Sequence, residues 1–207
     1  MQAIQLKKLI TITMGDPSGI GPEVTLKALN RIKDFKDVFF LIIGDFLLLK
    51  KIEKKLRLSL GMNRIYSPGP FRKFRINVLD MGREDDAFRS RKRAGLASIK
   101  YLDKFLELFE NGIASSLVTG PISKESVKMI YPHFSGHTEY LAKLTYTKDF
   151  AMMFTGGPFN VALVTTHIPL GEVPKHITKK NILKKTLLVN NFFKKYYKKN
   201  KPVIGIA

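Results

Sequence analysis

The run VFFLIIG, at residues 38–44, contains no polar side chain. A strand with one wet face alternates apolar and polar residues, so an unbroken apolar run predicts a strand covered on both faces. Such strands belong to parallel sheets, in which a helix carries the chain back between neighbours. The rest of the sequence fits that alternation. LITITM (residues 9–14) reads as a strand, and PEVTLKALNRI as a helix with Pro22 in its first turn. FLLLKKIEKKL reads as a helix, and RIYSP and INVLDM as short strands. AGLASIKYLDKFLELFENG reads as a long helix with Ile99, Leu102, Leu106 and Phe109 on one face and Gly112 as its stop. SSLVTG is a strand that delivers the loop TGPISK, and SKESVKMI and TEYLAKLT are helices. AMMFTGG and NVALVTT are strands whose Gly-Gly-Pro connection predicts an antiparallel hairpin. The expected fold class is therefore α/β, a mostly parallel sheet with flanking helices. PVIGIA, at residues 202–207, reads as the start of one more strand. A buried strand needs covering elements, so the sequence is expected to be the N-terminal and central part of a longer protein, truncated after Ala207.

Composition narrows the function classes. With 207 residues, 44% of them hydrophobic, the chain can bury a good-sized core. It has no cysteine, which excludes a disulfide framework and a thiolate nucleophile and suits a reducing cytoplasm. No signal peptide is visible, and VFFLIIGDFLLL (residues 38–49) is too short for a membrane span and carries Asp45. The net charge is +19, from 36 basic and 17 acidic residues. Nine lysines and no acid lie between Lys179 and Lys201, interleaved with Ile182, Leu183, Leu187, Val189, Phe192, Phe193 and Tyr196 near helical spacing. That pattern predicts an amphipathic helix with a solvated lysine face. A nucleic-acid-binding module is the weaker reading, because no helix-turn-helix, RNP or zinc-finger pattern accompanies the charge.

Four segments concentrate chemistry-bearing residues. In GDPSGIGPE, Gly15, Gly19 and Gly21 bracket a turn between strand and helix, with Asp16 or Ser18 available to cap that helix. The spacing G-x3-G-x-G is not the dinucleotide fingerprint, so the pyrophosphate of NAD is not assigned to it. In TGPISK, Ser123 is placed to cap the next helix and Lys124 projects near its start, where a phosphate would meet amides, a hydroxyl and an ammonium. A capping turn with an exposed lysine is the simpler reading of Lys124. In FSGHTEYLA, His137 and Thr138 stand at a helix start, with Thr138 a candidate cap. In VALVTTHIPLGEV, the run Val161–Val164 leads to Thr165, Thr166 and His167, expected at the C-terminal tip of a strand, where open α/β sheets bind ligands. His133 and His176 are read as ordinary surface histidines.

Taken together in this order, ITMGDPSGIGPEV, TGPISKESV, FSGHTEYLA and VALVTTHIPLGEV resemble the PdxA family, the 4-hydroxythreonine-4-phosphate dehydrogenases of pyridoxal phosphate biosynthesis. The resemblance runs from about Ile10 to the last residue. It implies a two-domain architecture like that of isocitrate and isopropylmalate dehydrogenases, working as a homodimer whose metal site draws on both subunits. It implies NAD, or NADP, as hydride acceptor and a divalent metal, zinc, cobalt or magnesium. His137 and Thr138 match the family's substrate-binding pair, and His167 matches the first of its three metal-binding histidines. The other two would lie beyond Ala207, with an Asn-Pro-His string this sequence lacks. The 207-residue chain alone is therefore expected to bind metal weakly and to turn over poorly. The implied reaction oxidises the secondary alcohol of 4-phosphohydroxy-L-threonine and then releases carbon dioxide. A 4-phospho-D-threonate or erythronate dehydrogenase and a non-catalytic remnant are the alternatives. No catalytic base can be nominated.

Overall fold

The structure is a computed structural model that describes residues 9–32, 38–69, 75–82 and 90–207. The leading segment MQAIQLKK lies outside the described residues. The chain divides into two compact units, Met1–His137 and Thr138–Ala207.

The first unit is built on a five-stranded parallel sheet in the order β3-β4-β2-β1-β5. Its elements, in chain order, are β1 (Leu9–Thr13), α1 (Gly21–Arg31), β2 (Phe39–Gly44), α2 (Phe46–Lys55), β3 (Asn63–Ile65), β4 (Ile76–Asp80), α3 (Arg91–Glu110), β5 (Leu117–Thr119) and α4 (Lys124–Lys128). The apolar run is the central strand, as its lack of polar residues requires. Phe40 to Gly44 are all buried, with Ile42 opposite Ile12 on one side and Val78 on the other. The chain steps from β1 to β2 in one direction and returns from β4 to β5 in the other. Right-handed crossovers then put α1 and α2 on one face and α3 on the other. The point where the direction reverses lies between β1 and β5, and ligands of open α/β sheets bind at the carboxyl ends of such strands.

Local chemistry sets the helix ends. The Asp45 carboxylate accepts from Leu48 N at 2.9 Å and starts α2, while Lys54 and Lys55 sit favourably in its last turn. Asp80, buried at the tip of β4, accepts from Phe46 N at 3.1 Å and from Arg64 Nε at 2.6 Å, tying β4 to β3 and to the start of α2. Helix α3 ends as the sequence predicts. Gly112 adopts φ 70°, Ile113 N donates to Leu108 O and Gly112 N to Phe109 O, a Schellman closure. Ile99, Leu102 and Leu106 are buried, whereas Phe109 is 46% exposed and stacks on Phe105.

The second unit starts within α5 (His137–Leu144) and continues through β6 (Met153–Phe154), β7 (Val161–Ala162), a 3-10 turn at Leu170–Glu172, α6 (Val173–His176) and α7 (Lys179–Tyr197). The predicted hairpin is present: β6 and β7 pair antiparallel across a turn in which Gly156 takes φ 100°. It is much shorter than the sequence suggested. The run Val161–Val164 supplies only a two-residue strand in a sheet of its own, so His167 does not follow a strand of the five-stranded sheet. The reversal at Gly156–Pro158 hands β7 a local partner instead of a parallel one. PVIGIA forms no strand either: Val203 is fully exposed, and apolar character without a neighbouring strand leaves the backbone groups nothing to pair with. Helix α7 is capped by Thr178, whose hydroxyl accepts from Asn181 N at 3.2 Å. Its Ile182, Thr186, Val189 and Phe193 line an apolar groove of about 850 Å³ with β7 and residues 203–207. The lysines lie largely on the exposed side, as predicted, with Lys184 paired to Asp149. No helix among the described residues is long and apolar enough to cross a membrane.

Two substitutions test this account by urea denaturation of the chain. Gly95 lies in α3 where an added Cβ would stand 2.3 Å from Ser126 O of α4. Gly95→Ala should destabilise by about 1–3 kcal/mol through overpacking, although helix propensity alone would favour alanine by about 1 kcal/mol. A stabilised variant would show that α3 and α4 do not touch there. Asp45→Ala should cost about 1 kcal/mol through loss of the α2 cap; an unchanged midpoint would contradict the cap.

Candidate functional site

The carboxyl ends of β1 and β5 are joined backbone to backbone. Asp16 N donates to Pro121 O at 2.9 Å and Gly120 N to Thr13 O at 2.8 Å. A Cβ on Gly15 would lie 2.4 Å from Pro121 O, one on Gly21 2.4 Å from Met14 O, and one on Gly120 2.5 Å from Met14 O. Three glycines of the two motifs thus serve close backbone approach. The expected side-chain cap on α1 is not made. Ile20 is the N-cap residue and makes no side-chain bond, while the buried Asp16 accepts from its neighbour Ser18 N at 2.8 Å and shapes the loop itself.

The loop after β5 then presents the next residues. Ser123 caps α4 as predicted, its hydroxyl accepting from Ser126 N at 3.2 Å and lying 3.0 Å from Ser126 Oγ. Lys124 follows as the first helical residue and is exposed. His137 begins α5, so Thr138 sits inside the first turn rather than capping it; its side chain is exposed. The His137 ring is half-buried, and its Nε2 has no exposed surface and no hydrogen-bond partner. A buried polar nitrogen left unpaired costs about 1–3 kcal/mol. Burial, and secondly the Lys124 ammonium, hold the imidazole pKa below its ordinary value of 6.5, which favours the neutral ring at neutral pH. A neutral imidazole offers one donor and one acceptor nitrogen. The electrostatic link between Lys124 and His137 was not legible in the sequence. The nearest signal was the lysine following a capping serine, and nothing in the spacing tied it to a histidine thirteen positions on.

His167 belongs to the second unit, between β7 and the 3-10 turn, exposed and at φ 58°. Histidine tolerates that left-handed conformation better than most residues. Among the described residues, no group of three or more His, Cys, Asp or Glu side chains could hold a metal ion. Catalytic zinc sites use three protein ligands, so His167 does not by itself provide one, and the described residues do not fit a complete metal centre. His133 and His176 are exposed, as read from the sequence.

Comparison with known proteins points to the same family. The family model described as pyridoxal phosphate biosynthetic protein PdxA matches residues 37–207. The chain is 37% identical over 198 residues to the 4-hydroxythreonine-4-phosphate dehydrogenase of Sulfurihydrogenibium sp. and 33% identical over 195 residues to that of Aquifex aeolicus. These alignments cover 95% and 93% of this chain but 61% and 60% of those relatives. The chain therefore spans about three fifths of the length of the curated relatives it matches. Among solved structures, the 4-hydroxythreonine-4-phosphate dehydrogenases of Burkholderia phymatum and Klebsiella pneumoniae superpose with TM-scores of 0.79 and 0.80 at 28% and 26% identity. Each covers 90% of this chain and 58% of the solved one. With a family match over most of its length and relatives above 30% identity, the chain belongs to the PdxA family.

Proposed function

We propose that this chain is part of an NAD- or NADP-dependent dehydrogenase that oxidises the secondary alcohol of 4-phosphohydroxy-L-threonine, with loss of carbon dioxide from the product, on the route to pyridoxal 5'-phosphate. The observation that carries this reading is the His137–Thr138 pair in the first turn of α5, inside the family match and in the family's motif order. The neutral His137 ring exchanges a hydrogen bond with a substrate oxygen, and the exposed Thr138 hydroxyl adds a second contact. The nicotinamide cofactor supplies the hydride acceptor. His167 contributes one nitrogen toward a divalent ion, zinc, cobalt or magnesium, that would lower the pKa of the substrate hydroxyl. The working form in this reading is a cytoplasmic homodimer with a shared site.

A second substrate has a specific basis. Relatives from Clostridium botulinum, 32% identical over 186 residues, are provisionally named D-threonate 4-phosphate dehydrogenases. The two substrates share the phosphate and the oxidisable alcohol, which are the parts a His-Thr pair can engage. They differ at the amino group, to which none of the residues named here is assigned. The threonine-derived substrate is preferred because the relatives named for it are more similar to this chain, at 37% and 33% identity.

The assay is reduction of NAD or NADP, followed by absorbance, by a protein that carries this chain at the full length of its relatives, with each phosphorylated substrate and each divalent ion. We expect turnover with 4-phosphohydroxy-L-threonine, and a drop in kcat/KM of about 10–100-fold for His137→Ala, the size expected from losing one substrate hydrogen bond. Faster turnover of D-threonate 4-phosphate would transfer the assignment to the second substrate, and reduction with neither would end the dehydrogenase reading. A separate titration tests the metal. The 207-residue chain should take up zinc weakly and without stoichiometry, little changed by His167→Ala. Tight one-to-one binding by the same chain would contradict it.

A further inference from the structure

Helix α7 presents apolar residues on two sides, and only one side is turned to the rest of the second unit. Ile182, Thr186, Val189 and Phe193 face the groove beside β7. A second set follows the alternating three- and four-residue spacing that keeps side chains on one line of a helix: Lys180, Leu183, Leu187, Asn190, Lys194 and Tyr197. At about 100° per residue these six fall within an arc of roughly 100°, to one side of the groove-facing residues. Leu183, Leu187 and Tyr197 are 56%, 51% and 50% exposed. Lys180 and Lys194 are exposed as well, and no carboxylate pairs with either among the described residues. The lysines of α7 that hold its neighbouring loop project from another side: Lys184 pairs with Asp149, and Lys185 donates to Phe150 O.

A stripe with this spacing is what a second helix packs against. Leucines four apart enter the gaps between side chains of the facing helix, and polar residues on the same line fix register and choice of partner. A face meant only for water needs lysines and not the leucines. Charge then selects the partner, since no Asp or Glu lies between residues 173 and 207. A second copy of this chain would set lysines against lysines, and like charges across a contact are costly. A nucleic acid would take the lysines and leave Leu183 and Leu187 in water. A lipid surface calls for a broader apolar face than two leucines and a tyrosine with Asn190 between them. We propose that the Lys180–Tyr197 stripe of α7 is a docking surface for an amphipathic helix of another protein, with leucine-type residues along its contact line and Asp or Glu beside them. The contact is independent of the dehydrogenase reading and uses none of the residues assigned to substrate or metal.

The probe is a labelled three-heptad peptide with leucine at the two contact positions of each heptad and glutamate at the positions flanking them. It is titrated with the 207-residue chain and followed by fluorescence anisotropy, beside a control peptide with lysine in place of each glutamate. The glutamate peptide should bind and the lysine peptide should not. Leu183→Asn with Leu187→Asn should weaken binding by about tenfold or more, the size expected for residues at the centre of a contact. Lys180→Glu with Lys194→Glu should weaken it as much and should let the lysine peptide bind instead. All four side chains are exposed, so the urea midpoint of each variant should match that of the parent chain. No binding of the glutamate peptide overturns the docking surface, as does binding that survives loss of the leucines, which would reduce it to charge alone. Tighter binding of duplex DNA or of phosphatidylglycerol vesicles than of the glutamate peptide would assign the face to that polyanion. A dimer of the chain that dissociates on replacing the two leucines would assign it to a second copy. Either result overturns the proposal.

Discussion

The backbone of Met14 is the constraint on which the first unit depends. Its side chain is fully buried, and its amide donates to Ile43 O at 3.0 Å, which extends the β1–β2 pairing past the end of the strand. Around it stand three glycines, each at a position where a Cβ would collide. Gly44 would press on the Met14 side chain at 2.8 Å, and Gly21 and Gly120 on its carbonyl oxygen at 2.4 and 2.5 Å. Side chains at these places would hold the loops apart by more than packing could absorb. With glycine there, the loops after β1, β2 and β5 close on one point. That closure sets where α1 begins and where α4 begins, and so where Lys124 is held.

Much of this was legible in the sequence because it rests on local rules. An apolar run without polar residues announced a doubly covered strand, and the alternation of strand and helix announced a parallel sheet. Ser123 caps α4 and Gly112 closes α3, as their positions suggested. The misread parts depend on contacts distant in sequence. GDPSGIGPE looked like a loop with a capped helix, but its glycines serve a seam with residues 120 and 121, about a hundred positions on. Val161–Val164 and PVIGIA looked like core strands, but periodicity reports apolar character and not the presence of a partner. The influence of the Lys124 ammonium on His137 is of the same kind.

The candidate residues differ in how far the structure supports them. His137 has a definite physical environment, with burial and a neighbouring cation acting together on one ring. Thr138 has an exposed hydroxyl in the same helical turn. His167 has an unusual backbone conformation and an exposed ring, but no neighbouring ligand set among the described residues. A catalytic metal centre needs more than one histidine, and the chain spans about three fifths of the length of the relatives it matches.

Hydrogen exchange measures the seam most directly. The amides of Asp16 and Gly120 lie in loops, where exchange is ordinarily fast, yet each is bonded across the seam. If the glycine-lined closure around Met14 organises this edge of the sheet, both amides exchange as slowly as those of Ile42 and Ile43 in the central strand. Exchange at the rate of an open loop, with β2 still protected, would show that the two loops are not joined and would contradict the account.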